Sequence, residues 1–227
     1  MKICNDLIKN DVPAVGQLKE NDYISYEIIK NADIKLLFLG NSITRHGKAE
    51  NLGWYGDWGM AASSKENDYV HKLISKLDHN GLKTSACIVN LSEWERTRDM
   101  NLLLTKYLPA LQFKADYVIV RLGENACLDK NLNEFEVSYK ELTDLFFKNG
   151  AKIIITDLFW EFEPFDKFIA TLASKKGYTY VMIHDLGNNE KMKAIDKFSH
   201  NGVAMHPGDK GMEEIAERIY EKLNNYK

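Results

Sequence analysis

Residues 34–47 read IKLLFLGNSITRHG. An almost unbroken apolar run ends at Gly40 and gives way at once to a polar turn carrying Ser42. A short run apolar at both odd and even positions is how a strand reads when both faces of its sheet are covered. Four further runs have the same character: KTSACIVNL (83–91), DYVIVRLG (116–123), AKIIITDLF (151–159) and YTYVMIHDL (178–186). Helical patterns fill the intervals, over roughly 65–79, 99–111, 132–148, 164–176 and 209–225. In the last of these, Met212, Ile215, Ile219 and Leu223 fall on one stripe with Glu and Lys opposite. Gly81, Gly150 and Gly177 each stand just before a strand-like run, where a helix would end in left-handed geometry. Strand–helix alternation of this kind predicts an α/β fold, a five-stranded parallel sheet with helices on both faces. Ligand sites in such sheets lie beyond the carboxyl ends of the strands.

Composition limits the possibilities further. The chain has 227 residues, 30 Lys+Arg against 33 Asp+Glu, a net charge of −3 and 44% hydrophobic residues. Such a chain can bury a sizeable core and is neither disordered nor built around a basic nucleic-acid surface. No apolar run reaches membrane-spanning length, and the opening MKICNDLIKNDVP is too polar for a secretory signal. Cys4, Cys87 and Cys127 are odd in number and form no CxxC pair, as expected of reduced thiols in a cytoplasmic protein. Residues 1–32 are weakly patterned and read as an extension packed on the domain or, alternatively, a dimer arm; residues 33–227 read as the domain proper. No nucleic-acid or membrane partner is expected, and a homo-oligomer stays open.

Three strand ends carry candidate chemistry. Ser42 follows the first strand within GNSIT, where Gly40 relieves backbone crowding and the hydroxyl can stand at the mouth of the sheet. A plain turn-capping serine fits that segment as well. Asn125 follows the third strand in RLGENA, and its amide can donate to an oxyanion or simply close a turn. His206 stands before the final helix in GVAMHPGDKGM, in a turn held by Pro207 and Gly208, where it can serve as a base or as packing. Each is weak alone. Together they put a nucleophile, an amide donor and a base at one end of one sheet, the set that acyl transfer needs.

Over about residues 33–223 the chain resembles the SGNH (GDSL-type) hydrolases. GNSIT matches the family's first block, usually GDS, with the nucleophile at Ser42; GEN matches its GxN block, with Asn125 in the oxyanion hole; HPGDKG matches its last block, with His206 as base. The resemblance implies a flavodoxin-like three-layer α/β/α sandwich, the SGNH hydrolase fold. It also implies cofactor-free hydrolysis of esters, often acetyl or other short acyl esters on sugars.

Two departures stand out. The family usually has an Asp three residues before the histidine, and here that position is Val203. Either a backbone carbonyl orients the ring of His206 in a Ser–His dyad, or Asp209, Asp196 or Glu95 replaces the missing carboxylate. The family's second block supplies a glycine N–H to the oxyanion hole, whereas NLSEWERTRD (90–99) has none. The match puts Glu93 there, its backbone N–H still able to donate. Glu95 and Arg96 could read a polar substrate or be solvated. Trp54 and Trp58, in the loop after the nucleophile, and Trp160, after the fourth strand, could line a glycan pocket or fill a subsidiary core. Arg45 and His46 could cap or pack. No His, Cys, Asp or Glu pair has metal-ligand spacing, so no metal is expected.

The reading is thus a serine esterase acting on a small-molecule or glycan ester, with acyl-CoA or lysophospholipid esters still open. A catalytically weak or inactive carbohydrate-binding protein of the same fold is the alternative. A nucleotide or phosphate binder is a third, disfavoured because no phosphate-binding motif follows the first strand.

Overall fold

Alternate residues of each apolar run go to opposite sides of one sheet. Leu37, Leu39, Val118, Val120, Ile153 and Ile155 enter one core, while Leu36, Phe38, Ile119 and Ile154 enter the other. Both sides are apolar, so the period-two signal of an exposed sheet is lost. The computed structural model describes residues 20–224. Five strands run parallel: β2 (Ile34–Gly40), β3 (Thr84–Asn90), β4 (Tyr117–Val120), β5 (Lys152–Thr156) and β6 (Thr179–Val181). Their α/β arrangement is the one expected. A sixth strand, β1 (Ile24–Glu27), pairs antiparallel with β3 and makes the order β1-β3-β2-β4-β5-β6.

The sheet therefore begins inside the segment read as an extension. Four residues, ISYE, are too few to show a period, and only Ile24 is fully buried. Residues 1–19, the rest of that extension, lie outside the described residues.

Helices cover both faces: α1 (Tyr69–His79), α2 (Ser92–Thr97), α3 (Asn101–Leu104), α4 (Leu108–Gln112), α5 (Leu128–Lys148), α6 (Glu163–Lys176), α7 (His184–Gly187), α8 (Asn201–Ala204) and α9 (Asp209–Asn224). The predicted stripe of α9, Met212, Ile215, Ile219 and Leu223, is buried against the α1 side of the sheet. Gly81, Gly150 and Gly177 have φ of 82°, 90° and 69°, as their places at helix ends require.

The remaining differences have local causes. The run 178–186 leaves the ladder after Val181 because the Asp157 carboxylate accepts the N–H groups of Ile183 and His184, at 2.6 and 3.1 Å, and starts α7. The stretch 99–111 breaks into α3 and α4 at Thr105, whose φ and ψ are −122° and −90°. Residues 92–97, read as loop, form α2. No helix among the described residues is long and apolar enough to cross a membrane.

Gly40 is where β2 turns into the segment that carries Ser42. A Cβ there would lie 1.8 Å from Thr44 Oγ1, whose hydroxyl is bonded to buried Tyr69 at 2.8 Å. Gly40→Ala is expected to lower unfolding free energy by about 1–3 kcal/mol, measured by urea denaturation. Wild-type stability would show that the turn yields freely.

Candidate active site

The turn after β2 is wound tightly on Asn41. The N–H groups of Thr44 and Arg45 both donate to its carbonyl at 3.0 Å, and that of Ile43 to its Oδ1 at 3.3 Å. The Ser42 carbonyl accepts from the Met60 N–H at 2.8 Å, which ties the turn to the loop that follows. This leaves the Ser42 hydroxyl facing His206, with Oγ 2.8 Å from Nε2. His206 stands just before α9, on a turn held by the bond from the Ala194 N–H to its own carbonyl at 2.9 Å. Its Nδ1 lies 2.7 Å from the carbonyl of Gly202, in α8. A carbonyl can only accept, so the proton sits on Nδ1 and Nε2 is free to take the hydroxyl proton.

Burial lowers the pKa of His206 to about 4, with the Gly202 carbonyl working in the opposite direction. The ring is therefore neutral, and competent as an acceptor, at any pH well above that value. Trp160 stands edge-on to it, ring centroids 5.4 Å apart at 85°.

Asn125 lies beyond the end of β4, and its Nδ2 donates one hydrogen to Glu95 Oε2 at 2.7 Å, leaving the other for a ligand. Glu95, on α2, is fully buried and also accepts the Gly123 N–H at 2.5 Å and Asn41 Nδ2 at 3.0 Å. Asn41 Nδ2 reaches Glu124 Oε2 at 2.7 Å, and Arg121 donates to both Asn41 Oδ1 and Glu124. Arg121, Asn41, Glu95 and Glu124 thus form a polar layer beneath the site, joining β2, α2 and β4. Burial opposes the charge on Arg121, but adjacent Glu124 more than offsets it and holds the guanidinium above its usual pKa.

The structure sorts the other sequence candidates. Val203, at the usual Asp position, is buried in a small cluster with Trp54, Met60 and Ala194. None of the suggested replacements orients the histidine. Asp209 instead accepts from the Ser63 N–H and hydroxyl at 2.7 and 2.6 Å, Glu95 is spent on three N–H donors, and the partner of His206 Nδ1 is Gly202 rather than Asp196. Glu95 is no reader of substrate either, since it has no exposed surface.

Trp54 is only 2% exposed, gives its Nε1–H to the His46 carbonyl and packs against Trp58 and Phe198, so it has no face to offer a sugar. Trp58 is half-buried, its indole N–H bonded to the Ala62 carbonyl. Arg45 pairs with Asp57 at 2.9 Å and holds the carbonyl of Asp22, and His46 Nδ1 bonds the Gly47 carbonyl at 2.7 Å. Both are packing residues. Arg96 is exposed. Glu93 occupies the second position of α2, where a backbone N–H has no intrahelical acceptor, and its carboxylate is drawn to Lys106.

Sequence reasoning missed Asn41, Arg121 and Glu124. The signal available was Arg121 itself, a charge at the end of an apolar strand run that burial obliges to find a partner.

Spacing along the chain gave no reason to expect a metal, yet folding does bring Asp157, Asp166 and His184 together, with ligand atoms within 4.8 Å of one another. There Asp157 accepts from His184 Nδ1 at 2.7 Å, from the Tyr180 hydroxyl at 2.5 Å and from two backbone N–H groups. Burial would lower the pKa of His184, but Asp157 overrides it and the ring is raised, as in a His–Asp ion pair.

No family model matches this sequence, and neither does any curated protein. Solved structures do resemble it in fold. The esterase EstA from Pseudoalteromonas sp. is similar at TM-score 0.57 and 14% identity, over 86% of this chain and 98% of that one. TesA is similar at TM-score 0.55 and 16% identity, over 84% and 98%. A Clostridium thermocellum family 3 carbohydrate esterase is similar at TM-score 0.54 and 16% identity, over 83% and 94%. The chain has the fold of the GDSL/SGNH esterases.

Two outcomes follow from these contacts. Asp209→Asn should leave kcat on an activated ester within about threefold of wild type, whereas losing a triad carboxylate costs about 10⁴-fold; a loss of that size would make Asp209 the missing partner of His206. Trp54→Ala should cost about 3–5 kcal/mol of stability as a core truncation, and a negligible cost in chemical denaturation would return Trp54 to the surface.

Proposed function

We propose that the protein is a serine ester hydrolase that works through an acyl-enzyme and removes acetyl or other short acyl groups from a carbohydrate or a similar small polar ester. The observation that carries this reading is the 2.8 Å contact between Ser42 Oγ and His206 Nε2; the Asn125 amide, with one N–H to spare, is linked to the Ser42 turn through Glu95 and Asn41. Ser42 attacks the acyl carbonyl as His206 takes its proton. The tetrahedral oxyanion is held by Asn125 Nδ2 and the N–H groups of Ser42 and Glu93. His206 returns the proton to the leaving alcohol, and water then cleaves the acyl-enzyme with His206 again as base.

The imidazolium formed in each step has only the Gly202 carbonyl behind it, so its stabilisation comes mainly from the oxyanion it helps to create. That makes the dyad a slower catalyst than a full triad. The carbohydrate part of the proposal draws support from the fold likeness to the family 3 carbohydrate esterase and from Trp160, half-buried with its ring centroid 5.4 Å from that of His206. A cytoplasmic setting suits Cys127, an exposed free thiol.

A specific observation keeps the binding-protein reading in play: with Val203 in the family's Asp position, His206 is held near pKa 4, low for a general base at neutral pH. Hydrolysis of p-nitrophenyl acetate and labelling by a fluorophosphonate decide between the two. The hydrolase reading predicts turnover and labelling that both disappear in Ser42→Ala, with a loss of at least about 10³-fold, and a comparable loss in His206→Ala. A wild-type protein that is neither labelled nor active, yet retains acetylated glycans, would instead be a binder.

A further inference from the structure

Every group bonded to Glu95 is a donor: the Asn125 amide at 2.7 Å, the Gly123 N–H at 2.5 Å and the Asn41 amide at 3.0 Å. A buried carboxylate surrounded only by N–H groups is a device for fixing orientation. Resting on the hydrolase reading above, we propose that Glu95 is the positioning residue of the oxyanion hole: its buried carboxylate holds the Asn125 carboxamide with Nδ2 toward the ligand side and ties it, through Asn41, to the nucleophile turn.

The two ends of a carboxamide have nearly the same shape, so packing alone chooses poorly between them. An ionised carboxylate accepts and cannot donate, so only the Nδ2 end of Asn125 can face it. Flipped, Asn125 would press its oxygen against Glu95 and withdraw its N–H from the oxyanion. Glu95 is thereby to Asn125 what a carboxylate usually is to the catalytic histidine, a group that sets the orientation of its neighbour.

The same contacts account for Asn41 standing where the first block usually has Asp. Its Nδ2 serves both Glu95 and Glu124, while its Oδ1 accepts from Arg121. An Asp at 41 would place a third carboxylate against those two, with Arg121 as the one buried cation among them. Asn41 and Glu95 are on this view a linked pair: a buried acid in α2 requires an amide beside the nucleophile.

The proposal also has a pH signature. The ionisable groups facing Glu95 are Glu124 and Arg121 near the end of β4 and Tyr139 of α5. Burial first, and Glu124 second, push Glu95 up to about 7, with its three N–H donors working the other way. A proton on Glu95 has only donors to meet, and it removes the charge that draws the three N–H groups, so its arrival weakens these bonds and loosens Asn125. The competent form is ionised, and kcat should rise as pH increases through about 7, well separated from His206 at about 4.

The test is steady-state hydrolysis of p-nitrophenyl acetate, corrected for background, from about pH 5 to about pH 9, for wild type, Glu95→Gln and Asn41→Asp, with circular dichroism confirming the fold of each. Wild type should show a kcat inflection near pH 7. Glu95→Gln should lose that inflection and about tenfold to a hundredfold in kcat, with KM within about twofold, as for a weakened oxyanion donor. Asn41→Asp should move the inflection upward, because an added carboxylate makes Glu95 harder to ionise. A Glu95→Gln enzyme with wild-type kcat and an unchanged inflection would overturn the proposal; if that variant does not fold, a wild-type kcat flat through neutral pH would overturn it equally. Inactive, unlabelled wild type would remove the hydrolase reading and this inference with it, whereas active wild type indifferent to Glu95 removes the inference alone.

Discussion

The buried polar layer of Arg121, Glu124, Asn41 and Glu95 is the constraint on which the rest of the site depends. Arg121 and Glu95 have no exposed surface and Asn41 is 1% exposed, so each must find its partners inside the protein. They find one another at the carboxyl edge of the sheet. There the apolar side chains of β2 and β4 give out, and backbone groups leaving the ladder need acceptors. Breaking one link would strand a buried charge, which is far more costly than losing an exposed ion pair. The layer thus fixes three chain segments relative to one another: the Asn41–Ser42 turn, α2 at Glu95 and the Gly123–Asn125 turn.

Ser42 and His206, above this floor, are held by simpler means. Ser42 is set by a single tight turn whose first residue, Asn41, accepts three backbone N–H groups. His206 is set by backbone bonds on both sides, its carbonyl receiving Ala194 and its ring donating to Gly202. A backbone carbonyl fixes the tautomer as well as a carboxylate does, but brings less charge to stabilise an imidazolium. On the proposed mechanism, the buried carboxylate serves the oxyanion side of the site, whereas the base has only a backbone dipole behind it.

Much of this was legible in the sequence, for identifiable reasons. Strands buried on both faces produce continuous apolar runs, and the five parallel strands were readable from those runs alone. Ser42, Asn125 and His206 sit in turns at strand or helix ends whose local composition made them candidates before any contact was known, and the structure brings Ser42 and His206 into contact. What could not be read depends on tertiary contact. β1 is too short for its pattern to rise above chance, and α2 starts in a stretch that looks like a charged loop. Glu95 reads as a surface residue until it is seen beneath Asn125. Trp54 has the composition of a sugar-stacking residue, and only the packing of Trp58 and Phe198 on its ring shows otherwise. Val203 was legible as a departure and a backbone carbonyl as one possible substitute for the carboxylate, but not that the carbonyl is that of Gly202, because a backbone acceptor leaves no trace in side-chain identity.

The central claim is that Ser42 becomes covalently acylated. Its most direct test is peptide mass spectrometry of the protein rapidly quenched in acid during turnover of an acetyl ester. The account predicts one acetyl group on the peptide containing Ser42 and none on that peptide in His206→Ala. An ester consumed with Ser42 unmodified, or acetyl found only on lysines, would contradict it.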